Sequence, residues 1–168
     1  MIAAALLLFA CAKPVAKEVV TAMNISSSAF TDGGSIPSKY TCDGANTSPP
    51  LAFSGIPGGA KGLVLIVDDP DAPGGTFDHW IVWNIPANTQ SVAEGQAPQG
   101  VAGQNGFGKR AYGGPCPPSG EHRYQFKLYA LDNALNLAPG SSKADVENAM
   151  KGHTVAQAKM MGRYIRGS

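Results

Sequence analysis

The sequence predicts a mainly β domain, all-β or α+β, with its helices held back to the C-terminal end. Three observations predict it. The chain holds 21 glycines and 13 prolines in 168 residues, which suits many turns and short strands better than a helical bundle. Residues 63–69, 79–85 and 122–132 are rich in apolar and β-branched side chains and carry strand patterns. Helix signals are confined to the chain beyond Ser141, so strands come first and helices last. At this length one domain with a substantial core is expected.

Taken in order, residues 2–10 are an uninterrupted apolar run that ends at Cys11. An apolar run, a small residue and a cysteine resemble a bacterial lipoprotein signal. Acylation of Cys11 would tether a soluble domain, each buried CH₂ contributing about 0.8 kcal/mol. No Lys or Arg precedes the run, unlike most export signals. The expectation is a signal over 1–11, a linker over 12–22 and a single domain over 23–168, in the cell envelope, either as a membrane-anchored lipoprotein or as a periplasmic protein released from a cleaved signal, rather than in the cytoplasm.

Residues 23–30 read as a first strand, Asp32-Gly33-Gly34 as a turn, 40–50 as irregular chain and 51–53 as a short strand. Residues 63–69 are apolar on both faces, as in a central strand covered on each side. In 79–85, alternation puts His79, Ile81, Trp83 and Ile85 on one face, and Trp80, Val82 and Asn84 on the other. The polar connection between these strands is long for a hairpin, a length that is often functional. Asp68 and Asp78 read there as turn or cap residues.

Residues 87–112 are poor in apolar side chains and read as a surface segment. Within it, Gly103–Lys109 superficially matches a phosphate-binding loop. Arg110 stands where Ser or Thr is needed, and no strand or helix frames the motif. Residues 122–132 alternate cleanly, so His122 and Tyr124 project together while Arg123 points away toward a salt bridge. The 141–147 run is a helix-capping signal, and Gly152 ends that helix. The spacing of Val155, Ala158, Lys159 and Gly162 predicts a second helix through Tyr164.

Composition narrows function. Charged residues make up 15% and the formal net charge is +1. Without a clustered basic face, nucleic acid is not an expected partner. No stretch approaches the roughly 20 apolar residues of a membrane span. With Cys11 acylated, Cys42 and Cys116 remain. In an oxidising compartment they pair in a disulfide; otherwise they are two free thiols acting as small hydrophobes. Neither has a Cys or His at zinc spacing, so no metal is expected.

Several ordered motifs then coincide: Asp69-Pro70-Asp71-Ala72-Pro73, His79-Trp80, Gly114-Pro115 and Gly120-Glu121-His122-Arg123-Tyr124. Together they resemble the phosphatidylethanolamine-binding protein family, which includes the Raf kinase inhibitor proteins. Tyr40–Asp43, Ser48-Pro49-Pro50 and the Gly-Pro-Cys-Pro-Pro run at Cys116 are similar to its bacterial and archaeal branch. The resemblance spans residues 25–164. It implies a β-sandwich-like fold with a large antiparallel sheet, a smaller sheet and C-terminal helices. It also implies a ligand pocket formed by Asp69, Pro70, Asp71, His79, Gly114, Pro115, His122 and Tyr124, with Tyr164 as a candidate gate.

The residue chemistry suits that pocket. His79 and His122 offer ring N–H donors, Tyr124 a hydroxyl and Gly114 a backbone N–H, while Asp69 fixes a His tautomer or meets an ammonium group. The expected function is a binding module for a small anion, phosphate or a phospholipid head group, with no cofactor. Inhibition of a protein target, a kinase or protease, and a homodimer accompany that reading, and contact with membrane is expected only through the lipid anchor. The rival is a cell-envelope hydrolase using Asp69, His79 and His122 as acid–base groups.

Overall fold

The computed structural model describes residues 22–166. Cys11 and nearly all of the expected linker lie outside them. Among the described residues, eight strands and one α-helix run in the order β1 (Asn24–Ser26), β2 (Leu51–Ser54), β3 (Gly62–Asp69), β4 (Phe77–Ile85), β5 (Ser91–Val92), β6 (Val101–Ala102), β7 (Glu121–Leu131), α1 (Lys143–Met150) and β8 (Thr154–Ile165). They form a three-stranded sheet, β1-β2-β5, and a five-stranded sheet, β6-β4-β3-β7-β8. Every pairing between these strands is antiparallel.

The centre of the large sheet is β3, buried at all eight positions. Its alternation divides the core in two. Leu63, Leu65 and Val67 face the small sheet and pack with Ile25, Leu51, Phe53 and Val92 from it. Val64 and Ile66 face the other way, under Val146 and Met150 of α1. An apolar run with no polar face is what a strand covered by layers on both sides requires.

The helix begins where the capping signal stands. The Ser142 hydroxyl accepts from the Asp145 N–H, and the Asp145 carboxylate accepts from the Ser142 N–H. Two of the orphan donors of the first turn are thereby satisfied. The chain leaves the helix through Gly152 at φ +79°, a left-handed conformation that glycine adopts freely.

The second expected helix is a strand. Residues 154–165 form β8, paired with β7 from Glu121 to Leu131. Without it, the outer backbone groups of β7 would lack partners. Ala156, Ala158, Met160, Gly162 and Tyr164 turn inward at a period of two, the last three buried. Gly162 misled the helical reading. A Cβ there would collide with Ile36 and stand 2.8 Å from Phe30, so the position needs glycine because neighbouring side chains approach it closely. Among the described residues no helix is long and apolar enough to cross a membrane.

A second correction concerns β4. Val67 lies opposite Trp80, but Asp68 lies opposite Asp78, so His79 is an extra residue. A further shift falls between Leu63 and Leu65, near Asn84 at φ +54°. These two bulges rewrite the expected faces. Ile81 and Trp83 stay under α1, whereas Trp80, Val82 and Ile85 all face the small sheet. His79 goes with Trp80 rather than with Ile81: its ring packs on Tyr124, which belongs to the same core cluster as Trp80.

Candidate functional site

Three strands bring chemistry to one end of the large sheet, on the face toward the small sheet. Asp69 closes β3, His122 and Tyr124 open β7, and the bulge in β4 supplies His79. The His122 Nδ1–H donates to the Asp69 carboxylate at 2.7 Å, with both side chains buried. Asp69 also accepts from the Asp71 N–H at 2.8 Å. That bond turns the chain just past β3 and orients the carboxylate.

His79 is held by a loop that sequence patterning left featureless. Its Nδ1 lies 2.6 Å from the Gly113 carbonyl, and the Gly113 N–H donates back to the His79 carbonyl at 2.9 Å. The Asn105 side-chain amide donates to that same carbonyl and to Ala111 O, while its oxygen accepts from Phe107 and Lys109 N–H. A bulged residue leaves the ladder, and here the loop takes over its carbonyl. The loop also places Phe107 edge-on to Phe77 and His79, with centroids 4.8 and 5.6 Å apart. Phe107 is nevertheless 44% exposed, an aromatic rim beside the imidazole.

Burial pushes the His79 pKa below its ordinary value; the Gly113 carbonyl and Asp69 oppose that push only in part. The folded protein therefore holds His79 neutral at pH values where the unfolded chain, titrating near 6.5, binds a proton. Stability from this residue is complete above about pH 6.5 and declines as pH falls toward the depressed folded value. Urea unfolding at pH 7.5 and 5.5 should show less stability at the lower pH, and His79→Gln should shrink that difference. An unchanged difference in the variant would assign it to other groups.

The Tyr124 hydroxyl is buried and has no hydrogen-bond partner among the described residues. The Asp69 carboxylate and the Cys116 backbone lie near it, but neither meets it at bonding geometry. Burial and the neighbouring Asp69 hold it firmly protonated, well above the ordinary phenol value. Such a hydroxyl is a donor waiting for an acceptor.

The other expected residues surround this centre. Pro70, just past the end of β3, is half-buried. The Asp71 carboxylate accepts from the Arg123 N–H, Nε and Nη2 at 2.9, 2.9 and 2.6 Å. Those bonds hold its pKa at about 2, so it is committed to Arg123 rather than free for a ligand, and Arg123 forms the salt bridge expected of it. Gly114 and Pro115 form a buried wall, but the Gly114 N–H is spent on Asn46 Oδ1 at 2.7 Å. A Cβ on Gly114 would stand 2.5 Å from Tyr40 O, so glycine is needed there for close backbone packing. Pro115 O accepts from the Cys42 N–H, and Cys42 and Cys116 are joined in a disulfide. Tyr164, across from His122 on β8, donates to Asp43 Oδ2 at 2.7 Å.

Asp68 and Asp78 are not turn residues. They sit opposite each other in β3 and β4 and turn to the α1 face. Lys143 lies 3.0 Å from Asp68 and 2.8 Å from Asp78, and Lys127 lies 2.7 Å from Asp68. These acids therefore dock the start of α1, on the side of the sheet away from His79 and His122. Among the described residues no cluster of His, Cys, Asp and Glu is arranged to hold a metal.

Known proteins share this architecture. A family model described as phosphatidylethanolamine-binding protein matches residues 26–165. A UPF0098 protein of Methanothermobacter thermautotrophicus is 54% identical over 151 residues, covering 86% of this chain and all of that protein. A UPF0098 protein of Aquifex aeolicus is 47% identical, covering 86% and 89%. Among solved structures, a phosphatidylethanolamine-binding protein homologue from Chlamydia trachomatis superposes with a TM-score of 0.84 at 45% identity, covering 87% of this chain and 99% of that one. Escherichia coli YbcL, described as a new member of the mammalian family, superposes at 0.81 and 33% identity, covering 88% and 100%.

Proposed function

The chain belongs to the phosphatidylethanolamine-binding protein family, and on that premise we propose that it is a ligand-binding module whose site at Asp69, His79, His122 and Tyr124 holds a small anionic group such as phosphate or a phospholipid head group. One observation carries the reading. The Tyr124 hydroxyl is buried without a partner, and the Nε2 atoms of both histidines also lack partners among the described residues. An unmatched buried hydroxyl costs about 1–3 kcal/mol, so a ligand oxygen that accepts from it recovers that loss on binding.

Tyr124→Phe tests this directly, because stability and affinity should move in opposite directions. The ligand-free variant should be as stable as the parent or more so, by about 1 kcal/mol. Its affinity for phosphoethanolamine, measured by calorimetry, should fall about tenfold. Equal affinity in parent and variant would remove Tyr124 from the binding site. The same titrations run with phosphoesters and acyl esters would reveal turnover. Cys116, whose backbone lies near Tyr124, is bonded to Cys42, which favours binding over nucleophilic catalysis.

The disulfide also supports a cell-envelope location, since such bonds persist in oxidising compartments. Mass spectrometry of the native N-terminus would detect diacylglycerol on Cys11.

A further inference from the structure

Resting on the binding reading above, we infer that the site selects an oxyanion that brings its own acid proton: the monoanion of a phosphomonoester or phosphonate, in preference to a phosphodiester or a fully ionised dianion. His79 decides the matter. The Gly113 carbonyl can only accept, so the nitrogen 2.6 Å from it, Nδ1, carries the ring proton. In the neutral ring Nε2 is then a lone pair. An ionised oxygen placed there would meet lone pair with lone pair, whereas a P–OH group would donate to it.

The surroundings favour that neutral ring. Phe77, Phe107 and Tyr124 pack against it edge-on, and burial works against its charge. The groups that face it are few. Asp69 comes from β3, and His122 and Tyr124 come from β7. Its strand neighbour Asp78 and the nearby Asp68 turn to the opposite face, toward Lys143 and Lys127. Arg123 is committed to Asp71. No lysine or arginine among these groups stands ready to balance a second negative charge. The Asp69 carboxylate already meets His122, so even an imidazolium at His122 leaves that pair neutral.

A monoanion satisfies the unmatched atoms of His79 and Tyr124. Its acid hydroxyl donates to His79 Nε2. An ionised oxygen accepts from the Tyr124 O–H. A diester has no acid hydrogen, and a dianion has lost its own.

The test is calorimetry of the intact protein with methyl phosphate and dimethyl phosphate at pH 6 and pH 8. A phosphomonoester loses its second proton near pH 6, so its monoanion fraction falls about 50-fold between those values. The monoester should bind more tightly than the diester at pH 6, and the ratio of their affinities should fall by up to about 50-fold at pH 8. Taking the ratio cancels any titration of His79 or His122 that both ligands share. His79→Gln, whose amide N–H can donate where the imidazole accepts, should bring the ratio at pH 6 toward one. If that variant does not fold, the four wild-type titrations decide the matter alone. Equal affinities at pH 6, or a ratio that rises with pH, would overturn proton selection while leaving anion binding in place. Binding of neither ester would overturn both readings.

Discussion

Replacing Asp69 with alanine is expected to lower the unfolding free energy by about 3 kcal/mol, measured by chemical denaturation near neutral pH. The expectation rests on the groups that the carboxylate touches. It meets His122 at 2.7 Å with both partners buried, and it accepts the backbone N–H of Asp71. Breaking a buried pair by removing one partner typically costs about 3–5 kcal/mol, because the other is stranded. The lower end applies here, since Asp69 has a single imidazole as its side-chain partner. Asp69→Asn, which still offers one oxygen, should recover part of the loss. A loss under about 1 kcal/mol in the alanine variant would mean that the pair is dispensable for folding.

The second large effect lies in the covalent link between Cys42 and Cys116. The bond closes a sequence separation of 74 residues. By the chain-entropy estimate, a loop of that size contributes about 4 kcal/mol by restricting the unfolded chain. The double variant Cys42→Ser, Cys116→Ser should lose about that much, and its unfolding curve should no longer respond to dithiothreitol. Site geometry should suffer as well, because the bond sits where two segments meet. Cys42 N–H to Pro115 O, Gly114 N–H to Asn46 and Tyr112 hydroxyl to Tyr40 O all cross that seam. Parent protein whose stability is the same with and without reductant would contradict the estimate.

Much of this molecule was legible because two signals are local. The apolar run of β3 and the alternation of β7 identify strands without knowledge of their neighbours. The same alternation sets His122 and Tyr124 side by side and sends Arg123 away from them. The misreadings have one physical origin: the deciding partner is distant in sequence. Asp68 and Asp78 resemble turn residues until Lys143 is placed between them. Gly162 looks like a helical spacer until Ile36 arrives above it. Phe107 and Asn105 lie in a stretch rich in glycine, glutamine and asparagine that has no period to read. Its one local hint was a lone aromatic among polar neighbours. The face of His79 followed from strict alternation and came out reversed, because the loop at Gly113 and Asn105 lets β4 carry one residue more than its partner.

That surplus residue separates scaffold from chemistry. Excising His79 would close the register shift at this end of the strand pair, and Trp80 would keep its place against Val67. A descendant of this chain could thus lose the imidazole through one codon deletion without disturbing the pairing of Val67 with Trp80. Shape can therefore persist where the proposed chemistry is gone, and a relative with the same outline has to be checked at this single position before the proposed binding is ascribed to it.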